Sequence, residues 1–466
     1  MTYQLLESIL ESGINNSHFF NGRILTADAL RADQIAQRQQ RQQLGQAIGT
    51  GIVRGLTVQH LAGSDPPTLR ITSGLANNAQ GQVLELPQNV DLALARERDT
   101  TDAAGGLFVV CQPLDTGEYV TGRNVYILAL APASGYREQA PLYDLSSNGN
   151  GRAPGCGFRY ATEGVQFRLV EVNLDDEDVI SGAEKTAVEA LIDAEPQTAA
   201  TVSHLRNFLA HLCLGTSDAV SFPSDLYTYV VPGLNEPDYG LLARITDPKP
   251  EQADEYTLGP CDVPLALLYW TTAGVQFVDM WSVRRRVIRP ASTSDSIPFV
   301  SDKRLAEGEA GYLQFQAQIA YLSRQEVPQA TLDSIKASDY FAYLPAAGVI
   351  PLTGMGSARG FDYDMFFQGL SVREPIYVEG ARVSWLLRQS FVVPPIYISG
   401  PESTFMWLYL TRENQQALTT GGGTSAQSYL VYSSGYLPFI GDARYDLNRY
   451  ENSNYGIIDR NEGFLF

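Results

Sequence analysis

Three groups of residues in this 466-residue chain have types and spacing that could do chemistry. His204 and His211 lie seven positions apart on one predicted helix, two turns from each other. Zinc-clamping pairs on a helix sit at i and i+4, so these two read as ordinary core or surface histidines. The acidic run DDED at 175–178 carries enough oxygens for a hard cation, but it immediately precedes helix-like sequence. A negative charge at the positive end of a helix dipole explains it more simply. The third group, Arg284, Arg285 and Arg286, sits on a strand-like segment that ends at Pro290. Strand alternation would place Arg284 and Arg286 on one face and Arg285 on the other, as a basic spot suited to ion pairing with a neighbouring subunit. A solvated strand edge is the competing reading.

The glycine-rich stretches do not supply a cofactor loop. GTGIVRG at 49–55 and GMGSARG at 354–360 space their last glycine one residue too far for a dinucleotide fingerprint, and GGGTS at 421–425 lacks the phosphate-loop lysine. The first reads as a helix-to-strand turn and the last as a flexible connection. There is no GxSxG, HExxH or calcium-loop pattern. The expectation is therefore no catalytic, cofactor-binding or metal site, although a glycosidase-type carboxylate pair leaves no motif to find.

Composition narrows the class. Hydrophobic residues make up 44% and charged residues 18%, enough apolar material for packed cores, and the length suggests two to four domains. Gly 41, Pro 25 and Tyr 25 favour many turns and short strands. A net charge of -19 argues against a nucleic-acid groove or an anionic membrane surface. The longest apolar runs are strand-length, so no membrane insertion is expected. Cys111, Cys156, Cys213 and Cys261 form no CxxC pair and read as free thiols of a reduced compartment. The N-terminus carries Glu7 and Glu11 and no basic region, so no secretory signal is expected.

The fold class expected is α+β, predominantly β. Residues 1–48 form a docking segment and helix, 49–100 a small β unit, 101–290 an α+β domain, and 291–466 a helix followed by a β-sandwich or barrel. In the first part, Phe19 and Phe20 precede Asn21-Gly22, a tight reversal, then Arg23, Leu25 and Thr26. Thr26 is placed to cap a helix, with Leu25 and Leu30 at the positions of a hydrophobic staple. The helix itself, rich in glutamine and with Ile35 its only large apolar residue mid-way, has too little apolar face to bury alone. Hairpin chemistry falls at 78–81. Two amphipathic helices follow, at 184–194 and 200–215, the second with Val202, Leu205, Leu209 and Leu212 on one face and Gly215 at its end. CDVPLALLYW and GVQFVD read as two strands around Ala273-Gly274, and 302–325 reads as helix.

FFNGRILTADALRADQ, then GIVRGLTV, then ITSGLANNAQGQVLEL, resembles proteins encoded with contractile injection systems and phage-tail-like particles. The likeness continues in order through VYILALAP, ATEGVQFRLVEV, DVPLALLYW and YFAYLPAAGVIPL. This chain departs from the pattern in its glutamine-rich helix, in its NNAQGQ turn and after Gly369. The resemblance implies a non-enzymatic structural component, present in several copies and bound to baseplate or sheath-proximal subunits. Phe19, Phe20, Asn21, Gly22, Arg23, Leu25 and Thr26 would form the docking element. Such a protein would be made in the cytoplasm and assembled into a particle that is cytoplasmic, membrane-docked or released after lysis. The alternative is a receptor- or glycan-binding module using Trp385, Tyr397, Trp407 and Tyr409.

Overall fold

The computed structural model describes residues 14–22, 24–64, 66–94, 124–141, 156–216, 240–246, 256–289, 302–323, 335–352, 362–400, 405–412 and 428–441. Arg23, Cys111, the apolar run at 105–113, the glycine stretches at 354–360 and 421–425, and the Ser/Thr-rich stretch at 290–298 lie outside these residues. The fold class is α+β, with helix and strand in nearly equal shares, 32% and 35%, of the described residues.

A 22-residue helix, α1 (Ala27–Ile48), leads into six short strands. These are β1 (Gly51–Gly55), β2 (Val58–Leu61), β3 (Thr68–Ile71), β4 (Gly74–Asn77), β5 (Val83–Leu86) and β6 (Val90–Ala93). They form two three-stranded sheets, β1-β4-β5 and β2-β3-β6. The expected hairpin is present between β4 and β5: Asn78 and Gln82 close it through backbone and side chain, and Gly81 adopts φ 74.

A four-stranded sheet, ordered β10-β9-β7-β8, forms the next layer. It is built from β7 (Asn124–Pro141), β8 (Cys156–Glu171), β9 (Val263–Thr271) and β10 (Gly274–Asp279). Its two central strands, β9 and the first part of β7, read as near-continuous apolar runs because both faces are covered. Tyr126, Leu128, Leu130, Leu268 and Trp270 face the small sheets. Val125, Ile127, Ala129, Leu267 and Tyr269 face the helices α2 (Gly182–Ile192), α3 (Ala199–Cys213) and α4 (Gly240–Arg244). Beyond Leu130, β7 pairs with β8 alone, as a two-stranded ribbon.

The C-terminal third differs from the sandwich or barrel anticipated. Here α5 (Asp302–Ser323) and α8 (Gly380–Ser390) cover opposite faces of one mixed five-stranded sheet. That sheet comprises β12 (Ala347–Leu352), β13 (Ser371–Val372), β14 (Ile376–Val378), β16 (Phe405–Arg412) and β17 (Ser428–Ser434). Short elements α6 (Ala337–Tyr340), β11 (Tyr343–Leu344), α7 (Tyr363–Phe366) and β15 (Ile396–Tyr397) complete it. The alternating apolar strands needed two covers, and helices supply both. Phe315, Ile319 and Leu322 of α5 pack on Ile350, Leu408 and Leu430, while Val383 and Leu386 of α8 pack on Tyr409 and Val431.

Two helices approach so closely that a side chain has no room. A Cβ at Gly308 in α5 would run into the backbone of Phe391, just after α8. Alanine is the better helix former by about 1 kcal/mol. Gly308→Ala is nevertheless expected to destabilise the protein, by about 1–3 kcal/mol, because the α5 and α8 backbones must move apart. A urea midpoint equal to or above that of the parent would refute this.

Cysteines and acidic residues also depart from expectation. Cys261 is in a disulfide, so the chain does not carry four free thiols, whereas Cys213 is free and buried. The acidic run at 175–178 lies in turns before α2 rather than in its first helical turn. Ser181 and Glu184 form the capping box of that helix, and Asp175 pairs with Lys185 at 2.8 Å.

Candidate functional site

The N-terminal segment folds locally as its residue types dictate. Asn21 and Gly22 make a turn with Gly22 at φ 91, and Thr26 caps α1, its hydroxyl accepting from the Ala29 N–H at 3.2 Å. Ser17 Oγ donates to the Ala29 carbonyl at 2.9 Å, which lays the incoming chain beside the helix. The other end of α1 is tied to the first β unit. Asn77 Nδ2 donates to the carbonyls of Gly45, at 2.8 Å, and Gly49, and Gly45 lies backbone-to-backbone on Gly81. Arg38 reaches Glu163 on β8 at 3.1 Å.

Between these anchors the buried residues of α1 are all small: Ala29, Ala36 and Gly45. The large apolar side chains before and within it stay in solvent: Phe19 is 49% exposed, Phe20 63%, Ile24 82% and Leu25 59%. Leu25 and Leu30 both remain largely exposed, so the staple positions shield little surface. The rings of His18 and Phe20 meet edge-on, 5.9 Å apart.

The arginine triplet is not a strand. Residues 284–289 are irregular and cross β1 through isolated bridges, Thr50 to Ile288 and Ile52 to Arg286. This crossing explains the glycines of GTGIVRG: a Cβ at Gly49 or Gly51 would collide with the backbone of Ile288 or Arg286. Strand alternation therefore does not apply to the arginines. Arg284 donates to the carbonyls of Leu56 at 2.7 Å and Gly55 at 2.6 Å, and burial lowers its pKa from the ordinary arginine value. Arg285 donates to the carbonyls of Trp281, Ser282 and Arg284. Arg286 pairs with Glu309 at 2.9 Å. All three guanidinium groups are thus engaged within the chain.

The histidines lie where α3 meets the C-terminal unit, in a buried polar seam that amphipathicity did not announce. The apolar face of α3 is as anticipated, with Leu205, Leu209 and Leu212 in the core under the four-stranded sheet. Its other face, Ser203, Asn207 and His211, is buried too. Asn207 Oδ1 accepts from the N–H groups of Ala342 and Tyr343, both at 2.9 Å, and its amide donates to Gln314 Oε1 at 3.2 Å. Gln318 donates to the carbonyls of Ser203, at 2.7 Å, and Tyr340, at 3.1 Å. Asp279 at the end of β10 accepts from Arg206 at 2.6 Å, from the Ser282 N–H and hydroxyl, and from Gln314. One helix face therefore bonds the middle of the chain to α5 through fully buried groups.

No family model matches the chain, and no curated protein is similar to it in sequence. Among the described residues no set of three or more His, Cys, Asp or Glu side chains is placed to hold a metal ion. Nor, among them, is any helix long and apolar enough to cross a membrane.

A cleft at the seam, enclosing ≈ 410 Å³ of atom-free space that includes open solvent, is lined by His211, Thr216, Arg304, Glu307, Ser390 and Phe391 among others. The end of α3 sets the state of its histidine. Gly215, at φ 66, turns the chain so that the Thr216 N–H reaches the His211 carbonyl at 3.0 Å, which closes the helix as the sequence anticipated. The Thr216 hydroxyl donates its proton to the same carbonyl at 3.0 Å and so accepts from His211 Nδ1, 2.7 Å away. The lone pair then sits on Nε2, which is buried with no hydrogen-bond partner. Burial pushes the His211 pKa down to about 3, against the opposing pull of Asp279, so the ring is neutral. It stacks on Tyr343 at 4.7 Å, which in turn stacks on Tyr397 at 4.9 Å. The cleft offers one buried acceptor and the Arg304–Glu307 pair at 3.6 Å, a setting suited to ordered water or a small hydrogen-bond donor.

The four aromatics considered for a sugar platform do not share a surface. Tyr409 is fully buried, and its hydroxyl accepts from the Ile440 N–H. Trp407 packs in the core beneath α8, 4.6 Å from the Phe439 ring. Trp385 and Tyr397 are about half exposed, on α8 and β15 respectively.

Proposed function

We propose that this chain is a non-enzymatic structural component of a contractile injection particle, carried in several copies and docked onto baseplate or sheath-proximal subunits through its N-terminal segment. The observation that carries this reading is the row Phe19, Phe20, Ile24 and Leu25, held by a turn and a helix cap yet left in solvent. Four large apolar side chains exposed within seven residues of a strongly acidic protein suit a protein–protein contact. Aromatic anchors of this type carry much of the affinity of such contacts. The order of the FFNGRILT, GIVRGLTV and ITSGLANNAQGQVLEL segments supports the particle assignment.

The test is sedimentation of particles from cells carrying the tagged chain at its own locus. The full-length chain should appear in the fraction holding sheath and tube subunits. The variant Phe20→Asp/Ile24→Asp/Leu25→Asp should keep its thermal midpoint, since all three residues are exposed, and should leave that fraction. Absence of the parent chain from any sheath-containing fraction refutes the particle reading. Undiminished recovery of the variant refutes docking by this segment.

A further inference from the structure

The exposed side of α1 carries a second pattern, separate from the docking row. Leu30, Gln34, Gln37, Arg41, Leu44 and Ile48 follow one another at spacings of four, three, four, three and four residues. That alternation is the a/d seam of a coiled coil, sustained here over nearly three heptads. All six side chains are exposed, with Leu30 at 48%, Leu44 at 64% and Ile48 at 55%. The small residues that hold α1 to the rest of the chain, Ala29, Ala36 and Gly45, are not members of the seam. The row with a/d spacing is thus largely open to solvent, with Gln37 donating to Asp33 of the same helix at 2.8 Å.

We infer that this seam pairs antiparallel with α1 of a second copy of the chain. The seam is apolar at both ends, Leu30 at one and Leu44 with Ile48 at the other, and polar between them, so it reads nearly alike in either direction. Laid antiparallel, Leu30 of one copy meets Ile48 of the other, Gln34 meets Leu44 and Gln37 meets Arg41. Charge selects the same orientation. A parallel pair would place Arg41 against its own copy at a core position, where like charges repel. The antiparallel pair instead sets Arg41 of each copy against Gln37 of the other, and Arg41 has no ion-pair partner among the described residues. Three polar positions in six make this a weak, register-specific contact, formed where copies are held at high local concentration. This inference does not rest on the particle reading, because it concerns a different set of side chains and a different occupant.

Sedimentation equilibrium of the full-length chain over about 1 to 100 micromolar reads the self-association directly. The parent should show a concentration-dependent dimer. Leu44→Lys/Ile48→Lys should be monomeric throughout with an unchanged circular dichroism spectrum, since both residues are exposed and lysine suits a helix C-terminus. Gln34→Leu/Gln37→Leu, which makes the seam apolar, should tighten the dimer by roughly tenfold or more. Gln37→Glu, which sets a carboxylate against Arg41 of the other copy in the antiparallel pair but against itself in a parallel one, should tighten the dimer. A chain that stays monomeric even with the two leucines overturns the inference, as does a dimer indifferent to the two lysines. A dimer that Gln37→Glu weakens overturns the antiparallel arrangement.

Discussion

Replacing Asp279 with alanine is expected to lower stability by about 3–5 kcal/mol, the largest single-residue effect anticipated for this chain. Asp279 is fully buried and accepts from Arg206 Nε at 2.6 Å, the Ser282 N–H at 2.9 Å, the Ser282 hydroxyl at 2.8 Å and Gln314 Nε2 at 3.3 Å. Its removal leaves the Arg206 guanidinium, whose side chain is only 13% exposed, as an uncompensated buried charge. It also strands the Ser282 and Gln314 donors. Stranding a buried charge costs far more than the pair itself contributes, because the desolvation penalty remains when the attraction is gone. Arg206→Met combined with Asp279→Ala should therefore be markedly less damaging than Asp279→Ala alone. Urea unfolding of the parent, both single variants and the double variant gives the coupling energy. Strict additivity of the single effects would show that the pair is not energetically linked.

Acid should destabilise the protein through His211 well above the pH at which carboxylates titrate. In the unfolded chain this histidine ionises near its ordinary value of about 6.5. In the folded chain burial holds it to about 3. Between those values the unfolded state binds a proton that the folded state refuses. Its contribution is thus level above about pH 6.5 and worsens as pH falls towards 3, by up to about 1.4 kcal/mol per pH unit. Burial lowers the pKa of His204 as well, which works in the same direction. Asp262, paired with Arg168, opposes them: burial raises its carboxyl, so protonation favours the folded state as pH drops. The readout is therefore the difference between the parent and His211→Phe, a variant that keeps a ring against Tyr343 and loses the bond to Thr216. Between pH 6.5 and 4.5 the parent should lose about 2.5 kcal/mol more than the variant. Parallel pH profiles for the two would mean that His211 is already protonated in the folded state or is exposed to solvent.

Legibility in the sequence followed the range of the interaction. Thr26 as a cap, Gly215 as a helix terminator, the hairpin after Asn77 and the turn at Ala273-Gly274 were all readable, because each is decided by a few neighbouring residues. The strands β7 and β9 were readable as buried because near-continuous apolar runs leave no side to face water. Arg284, Arg285 and Arg286 were misread as alternating strand residues, since their partners are carbonyls of Leu56, Gly55 and Trp281 and the carboxylate of Glu309, set by a chain crossing that no local pattern encodes. The helix α5 was anticipated, but α8 and the role of both as covers of the C-terminal sheet were missed for a related reason: alternation shows that a strand needs a cover, not whether a helix or a second sheet provides it.

The sequence by itself determined the α+β class, the approximate extents of α1, α2, α3 and α5, the apolar face of α3 and the lack of large core residues along α1, since periodicity and capping act within a few turns of chain. Only the tertiary structure decided which polar faces meet water. Ser203, Asn207 and His211 of α3 and Gln314 and Gln318 of α5 have the residue types of a solvated surface, yet they are buried because each face satisfies the other's hydrogen bonds. On α1 the outcome is reversed. Leu30, Leu44 and Ile48 are core residue types left in solvent, because Gly45 and Gly81 bring the backbones together on another side of the helix and no described element reaches the seam. A polar side chain is buried when a partner completes its bonds, and an apolar one stays exposed where the packing of the described elements does not reach it.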